Sequence, residues 1–233
     1  AVAIRLTGDL DVAALQAAVA DLVGRHEVLR TVYPEVDGVG FQQILPAHRA
    51  VPNLEPVVVS ESEIVRRVGE VVSRGFDVTS QVPVRAGLFA VSGSEHVLVL
   101  VVHHIASDGF SIRPLTRDVM VAYEARMRGE GPGWSPLPVQ YADFALWQRQ
   151  VLGSEDDPAS LISQQEAFWK DALADSPDQL DLPVDRPRPA VASHRGATYS
   201  FEFPAPCLRS LMSWRRRMGR RCSWWCIQRW RCC

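Results

Sequence analysis

The stretch Val97-Leu98-Val99-Leu100-Val101-Val102-His103-His104-Ile105-Ala106-Ser107-Asp108-Gly109-Phe110-Ser111 decides the fold. Its first six residues are all Val or Leu, so an extended chain here is apolar on both faces, as a central strand covered from each side requires. Two histidines end the run. Side chains alternate across a strand, so His103 and His104 are expected on opposite sides and only one of them can face a given cavity; we assign that place to His104. Four residues later Asp108 precedes Gly109, where the missing side chain lets the backbone approach other groups closely. Ser111 is expected to cap the helix that follows.

Upstream, residues 84–91 and 95–102 are expected to pair across the Ser92-Gly93-Ser94 turn. Residues 4–6 form a short strand, and Asp11 caps a helix whose apolar positions Val12, Leu15, Val19, Leu22 and Val23 recur at helical spacing. That helix runs into Arg25-His26-Glu27-Val28-Leu29-Arg30-Thr31-Val32-Tyr33, in which Arg25, Glu27 and Arg30 taken alone are solvated charges at a helix end. Asp37-Gly38 signals a hairpin turn between residues 31–33 and 40–45. Residues 54–59 add a strand. Ser60 and Glu63 form a capping-box pattern before a helix carrying Ile64, Val65, Val68, Val71 and Val72, which stops near Gly75.

Beyond the histidines, Ile112, Leu115, Val119, Ala122, Tyr123 and Met127 define an amphipathic helix, with Pro114 in the first turn where a missing N–H costs little. A Gly- and Pro-rich loop over residues 129–138 leads to Tyr141-Ala142-Asp143-Phe144-Ala145-Leu146-Trp147-Gln148-Arg149. Tyr141, Phe144 and Trp147 recur at helical spacing and are expected as a core stripe, so Trp147 is given no chemistry. A last helix over residues 159–174 presents Leu161, Phe168 and Trp169. Residues 182–189, with three prolines, form an extended connector, and residues 199–203 begin a further strand. No internal repeat is evident.

The chain has 233 residues, 47% of them hydrophobic and 22% charged, enough material for one large or two small globular domains. No run is long enough to cross a bilayer and no signal-like N-terminus is present, so a cytoplasmic location without membrane contact is expected. The chain starts with Ala1 rather than Met, as a fragment of something longer would. The net charge of −2 hides an asymmetry: residues 207–233 hold eight arginines, no Asp, Glu or Lys, all five cysteines and four of the seven tryptophans. Such a tail could be a nucleic-acid patch, with Cys222, Cys226, Cys232 and Cys233 as metal ligands. The spacing argues against both. Three residues separate Cys222 from Cys226, Cys232 and Cys233 are adjacent, and no His lies nearby, so no common zinc site is matched and neither metal nor nucleic acid is expected. An acidic chain that turns abruptly to Arg, Trp and Cys suggests a shifted reading frame, giving a domain over residues 1–206 and a tail, residues 207–233, with no native fold.

Three segments together resemble the condensation domains of nonribosomal peptide synthetases. The HHxxxDG motif is matched by His103, His104, Asp108 and Gly109; RHExLRTxF by Arg25, His26, Glu27, Leu29, Arg30 and Thr31, with Tyr33 in place of Phe; and YxDFAxWQR by Tyr141, Asp143, Phe144, Ala145, Trp147, Gln148 and Arg149. The resemblance covers residues 1 to about 206. It implies an α/β (α+β) fold like that of chloramphenicol acetyltransferase, a sandwich of a mixed sheet with helices, of which this chain supplies the N-terminal half of a V-shaped pseudodimer. It further implies amide-bond formation: the α-amine of a residue on one carrier protein attacks an aminoacyl or peptidyl thioester on the phosphopantetheine arm of another. The SDGFS and RHE segments are most similar to members that join two L-configured residues.

Upstream and downstream peptidyl carrier proteins and an adjacent adenylation domain are the implied partners, with no cofactor bound directly and no activity expected of this half alone. In that resemblance His104 receives the amine's proton, and Asp108 pairs with an arginine, Arg30 or Arg195, to fix the loop. Gly109 turns a backbone N–H toward the oxyanion, and His103 completes the catalytic motif. Arg25, His26, Glu27, Arg30, Tyr141, Asp143 and Trp147 are motif residues with a structural part. Two rivals are a related acyltransferase using a soluble acyl thioester and a non-catalytic recruitment module of the same fold. Sequencing the gene tests the reading of the tail: an alternative frame that stays open and apolar in pattern beyond Pro206 is expected, and its absence contradicts the shift.

Overall fold

The computed structural model describes residues 1–177 and, beyond them, 183–187, 189–193, 196, 202, 204, 206–208, 210 and 212–213. Two units divide the chain, Ala1–Asp175 and Ser176–Cys233. In the second, Leu208 N–H donates to the Pro204 carbonyl at 3.1 Å. The expected strand over residues 199–203 lies, apart from Glu202, outside the described residues, as do Cys222, Cys226, Cys232 and Cys233.

The first unit runs β1 (Val2–Thr7), α1 (Val12–Arg25), β2 (Thr31–Val32), β3 (Glu35–Val36), β4 (Val39–Gly40), β5 (Gln43–Ile44), β6 (Val57–Val58), α2 (Ile64–Ser73), β7 (Val84–Ser92), β8 (Glu95–Val102), α3 (Ile112–Met127), α4 (Tyr141–Leu152) and α5 (Leu161–Ala172). The main sheet has the order β1-β8-β7-β6, with β8 antiparallel to both neighbours and β6 parallel to β7, so it is mixed. β2 pairs with β5 and β3 with β4 as separate two-stranded ribbons. The β3–β4 turn has Asp37 at φ 53° and Gly38 at φ 80°. Two consecutive left-handed residues make the tight hairpin turn that Asp-Gly favours.

β8 is apolar on both faces because both are covered. Val97, Val99 and Val101 pack with Val59, Ile64 and Phe89 and with Val68 and Val71 of α2. Leu98 faces the other way, into a cluster with Leu15, Val19, Leu54 and Leu88, while Leu100 and Val102 meet Leu22, Leu29, Val84 and Leu115 beneath α1 and α3. Burying a Val or Leu side chain fully is worth about 1.5–3 kcal/mol, so this strand anchors both layers.

α1 and α2 start where their caps say. Asp11 Oδ1 accepts the Ala14 N–H at 2.9 Å, and Ser60 donates its N–H to Glu63 at 3.0 Å in a capping box one short 3-10 turn before α2. α1 and α3 are tied by Arg126, which donates to both Asp21 oxygens at 2.7 and 2.6 Å, and by the Asp11 N–H to the Tyr123 hydroxyl at 3.1 Å.

Two expectations are corrected. Of residues 54–59 only Val57 and Val58 pair as strand. Leu54 is instead wholly buried, its N–H given to Gln16 Oε1 at 2.7 Å, so a side-chain amide takes the place of a ladder partner. The aromatic stripe of α4 is not core: Tyr141, Phe144 and Trp147 are 53, 39 and 57% exposed, and neither α4 nor α5 buries a residue. Helical spacing makes one side apolar without supplying a surface to cover it, and these rings lean on each other at centroid distances of 5.8 and 5.7 Å.

Leu88→Ala is expected to lower unfolding free energy by about 2–5 kcal/mol, whereas Val65→Ala, at a site 82% exposed, changes it by less than about 0.5 kcal/mol. Urea unfolding of the two variants checks the contrast.

Candidate active site

β8 delivers the chain to His103, whose backbone N–H still reaches the Pro83 carbonyl at 2.8 Å. The chain then turns, with the Ala106 N–H returned to the His103 carbonyl at 2.9 Å. The His103 ring is half-buried and meets Phe76 edge-on at 5.8 Å. Its Nδ1 accepts the Ile105 N–H at 3.0 Å, so a neutral His103 carries its proton on Nε2. His104 is exposed, and its ring makes no hydrogen bond among the described residues. One imidazole is used by the fold and its neighbour is left open.

Asp108 closes the turn into α3. Its Oδ1 accepts both the Ser111 N–H at 2.9 Å and the Ser111 hydroxyl at 2.6 Å, while the Asp108 N–H donates to Ser111 Oγ at 3.1 Å. These bonds from Ser111 hold the Asp108 carboxyl below the usual carboxylate range. The expected cap is not made here. Ser111 stands at the N-cap of α3 but is itself helical at φ −68°, ψ −29° and makes no side-chain cap bond to the helix; its N–H and hydroxyl are bound by Asp108 instead. The expected ion pair with Arg30 is also not made, because Arg30 donates to the Leu45 carbonyl at 2.7 Å and to Glu27 at 3.1 Å. A hydroxyl three residues away satisfies the carboxylate with less ordering than a distant guanidinium needs. Arg195 lies outside the described residues. Gly109 is exposed, and a Cβ built on it meets nothing within 4 Å. The space above its backbone is open.

Arg25, Glu27 and Arg30 are not solvated charges at a helix end: Arg25 is held by Asp118, and Arg30 pairs with Glu27, all three partly buried. Arg25 Nε and His26 Nε2 both donate to Asp118 Oδ2, each at 2.9 Å, and Asp118 on α3 is 3% exposed. Arg117 donates to the other oxygen from Nε at 3.1 Å and Nη2 at 2.9 Å. Burial raises the Asp118 pKa, but the bonds from His26, Arg117 and Arg25 outweigh it and leave the carboxyl low. The guanidinium of Arg25 also stacks over Trp134 at 4.7 Å and donates to the Ser135 carbonyl at 2.7 Å. Gln140 bridges onward, donating to the Arg25 carbonyl at 3.0 Å and accepting the Glu27 N–H at 3.2 Å, while Asp143 accepts the Gln140 N–H at 2.9 Å in the capping box that starts α4. Sequence reasoning missed Asp118. The signal was an acid at a position that α3 otherwise fills with Leu115, Ala122 and Ala125 on its buried stripe.

The motif residues therefore form three groups. His103 to Gly109 stand at the β8–α3 turn, and Arg25 to Arg30 join Asp143 through the Asp118 cluster and Gln140. Tyr141 and Trp147 belong to the exposed ladder of α4. Beside that ladder a groove of about 610 Å³ is lined by Tyr33, Phe41, Ile44, Ala145, Leu146 and Arg149, and burial raises the Tyr33 phenol pKa. No helix among the described residues is long and apolar enough to cross a membrane.

The Condensation domain family matches residues 1–216. The chain is 52% identical over 202 residues to a dimodular nonribosomal peptide synthase of Bacillus subtilis, a span of 87% of this chain and 8% of that protein. It is 49% identical over 208 residues to an isonitrile lipopeptide synthase of Mycobacterium tuberculosis, 88% of this chain and again 8% of the relative. Among solved structures, the X-domain in its complex with OxyB from teicoplanin biosynthesis is 44% identical with a TM-score of 0.77, covering 83% of this chain and 42% of that one. The chain thus spans under a tenth of these synthetases and less than half of the solved domain. With the mixed sheet between helices and the histidine turn at the end of its inner strand β8, these matches show that the chain belongs to the condensation-domain family of nonribosomal peptide synthetases and has its chloramphenicol-acetyltransferase-like fold.

Proposed function

We propose that this chain is the histidine-bearing half of a condensation domain that forms an amide bond between substrates held on two carrier proteins, with His104 as the proton acceptor. The observation that carries the reading is the contrast between adjacent imidazoles: His103 is engaged by Ile105 and Phe76, while His104 is exposed with no hydrogen bond among the described residues. A histidine kept free at the end of a rigid strand is available to a substrate.

The chemistry suits an imidazole. A free α-amine has a pKa of about 8, so an appreciable fraction is already neutral near pH 7, and removing a proton beforehand is not the main difficulty. When the amine attacks the thioester carbonyl, the C–N bond forms and nitrogen becomes an ammonium. His104 takes that proton as the tetrahedral centre collapses, the C–S bond breaks, and the thiolate of the phosphopantetheine arm leaves and is protonated. Such a transfer contributes roughly 10² to 10⁴ in rate. Holding amine and thioester together supplies more.

Gly109, with open space above its backbone, is the position from which an N–H can reach the carbonyl oxygen as it becomes anionic. Asp108 acts on its own turn, keeping Gly109 in place, and does not touch substrate. The donors and acceptors are L-configured residues on phosphopantetheine arms, which are substrates here and not resident cofactors. An adenylation domain that loads the acceptor carrier is the expected neighbour. The reaction belongs to the intact domain, since this chain spans 42% of its solved relative.

In an intact domain supplied with loaded carrier proteins, His104→Ala is expected to lower dipeptidyl thioester formation by at least about 10²-fold with an unchanged melting curve. Undiminished product would remove His104 from the mechanism. Carrier-bound donors are expected to react and coenzyme A-bound donors not to; equal rates with both select the soluble-thioester acyltransferase instead.

A further inference from the structure

Asp118 stands seven residues after Ser111, two turns into α3 from the loop that carries Asp108 and Gly109. Its two oxygens accept four hydrogen bonds, two from Arg25 and His26 at the end of α1 and two from Arg117 on its own helix. Through Arg25 the cluster also holds Trp134 and Ser135, and through Gln140 the start of α4. Towards its far end α3 is tied to α1 by Arg126 on Asp21 and Tyr123 on Asp11, and near Asp118 it meets the end of β8 by packing Leu115 and Val119 among Leu22, Leu29 and Val84 with Leu100 and Val102 alongside. That packing is apolar and non-directional, so it fixes distance but tolerates rotation of the helix. The Asp118 cluster is directional, and it lies within one turn of Leu115.

We propose that Asp118 is a positioning residue for the histidine turn: by locking α3 to Arg25 and His26 it sets where Asp108 and Gly109 stand relative to His104. Its effect on reaction rate rests on the condensation reading, whereas its effect on the turn does not. A carboxylate this buried is costly unless its lone pairs are filled, and here all four bonds come from N–H donors. Charge alone is not what the position requires. In Asp118→Asn the amide oxygen can keep Arg25 and His26, and the amide nitrogen faces only Arg117, whose side chain is 68% exposed and can turn to solvent. Asp118→Ala leaves Arg25, whose side chain is 11% exposed, without its carboxylate.

Amide hydrogen exchange on the full chain tests the lock. Asp118→Ala is expected to speed exchange at residues 104–112 by at least about tenfold while the β7 and β8 amides stay within about threefold, and Asp118→Asn is expected to stay within about threefold throughout. Should Asp118→Ala not fold, Arg25→Lys, which keeps the charge but loses the Nε–H bond, is expected to give the same loop-selective pattern at smaller amplitude. In an intact domain Asp118→Ala is expected to lower kcat by about 10²-fold with KM for the loaded carrier unchanged, and Asp118→Asn to recover most of that loss. Unchanged loop exchange overturns the proposal, and so does exchange that rises equally across β7 and β8, which marks a merely structural role. An unchanged kcat in Asp118→Ala, with His104→Ala inactive, also overturns it. If His104→Ala is itself fully active, the condensation reading fails and the exchange arm alone still decides the lock.

Discussion

Val97, Val99 and Val101 fill one face of β8 and Leu98, Leu100 and Val102 the other, so the strand cannot slip by one residue without exchanging two packed surfaces. Its register with β7 is continuous through this run, and its register with β1 is continuous up to Leu100. The position of His103 and His104 at its end is therefore inherited from the core and needs no device of its own. What the core does not decide is how the chain leaves the strand. That is settled by polar bonds: the Ile105 N–H to His103, the Asp108–Ser111 exchange, and, two turns along α3, the four bonds on Asp118.

The two acidic residues divide this task by environment. Asp108 is exposed and bonded to a hydroxyl and an amide three residues away, so it orders only its own turn. Asp118 is buried and bonded across 92 and 93 positions of sequence, so it orders helices against each other. The same side chain yields a local tie in one setting and a tertiary lock in the other, and burial decides which.

Much of this was legible in the sequence because it depends on neighbours along the chain. Six aliphatic residues, the Ser60/Glu63 box and Asp37-Gly38 each specify their structure within a few positions, and each forms as expected. Most of the readings that failed concern partners at a distance, and one, at Asp108, a choice between a near partner and a far one. Arg25 looked solvated because its carboxylate is 93 residues away, and Asp108 looked like an ion-pair member because residue types do not reveal which way a carboxylate turns. The α4 stripe showed that one side of the helix is apolar and nothing about what lies over it. The choice of His104, and the chemistry given to it, came from the resemblance in HHxxxDG. Alternation along the strand separates two histidines but does not rank them.

The account centres on one imidazole left free beside another that is engaged, and carbethoxylation with diethylpyrocarbonate addresses that difference directly. With an intact domain and peptide mapping of each modified histidine, His104 is predicted to react ahead of His103, and amide-forming activity to fall in proportion to the fraction of His104 modified. Full modification of His104 with the condensation rate unimpaired would contradict the account.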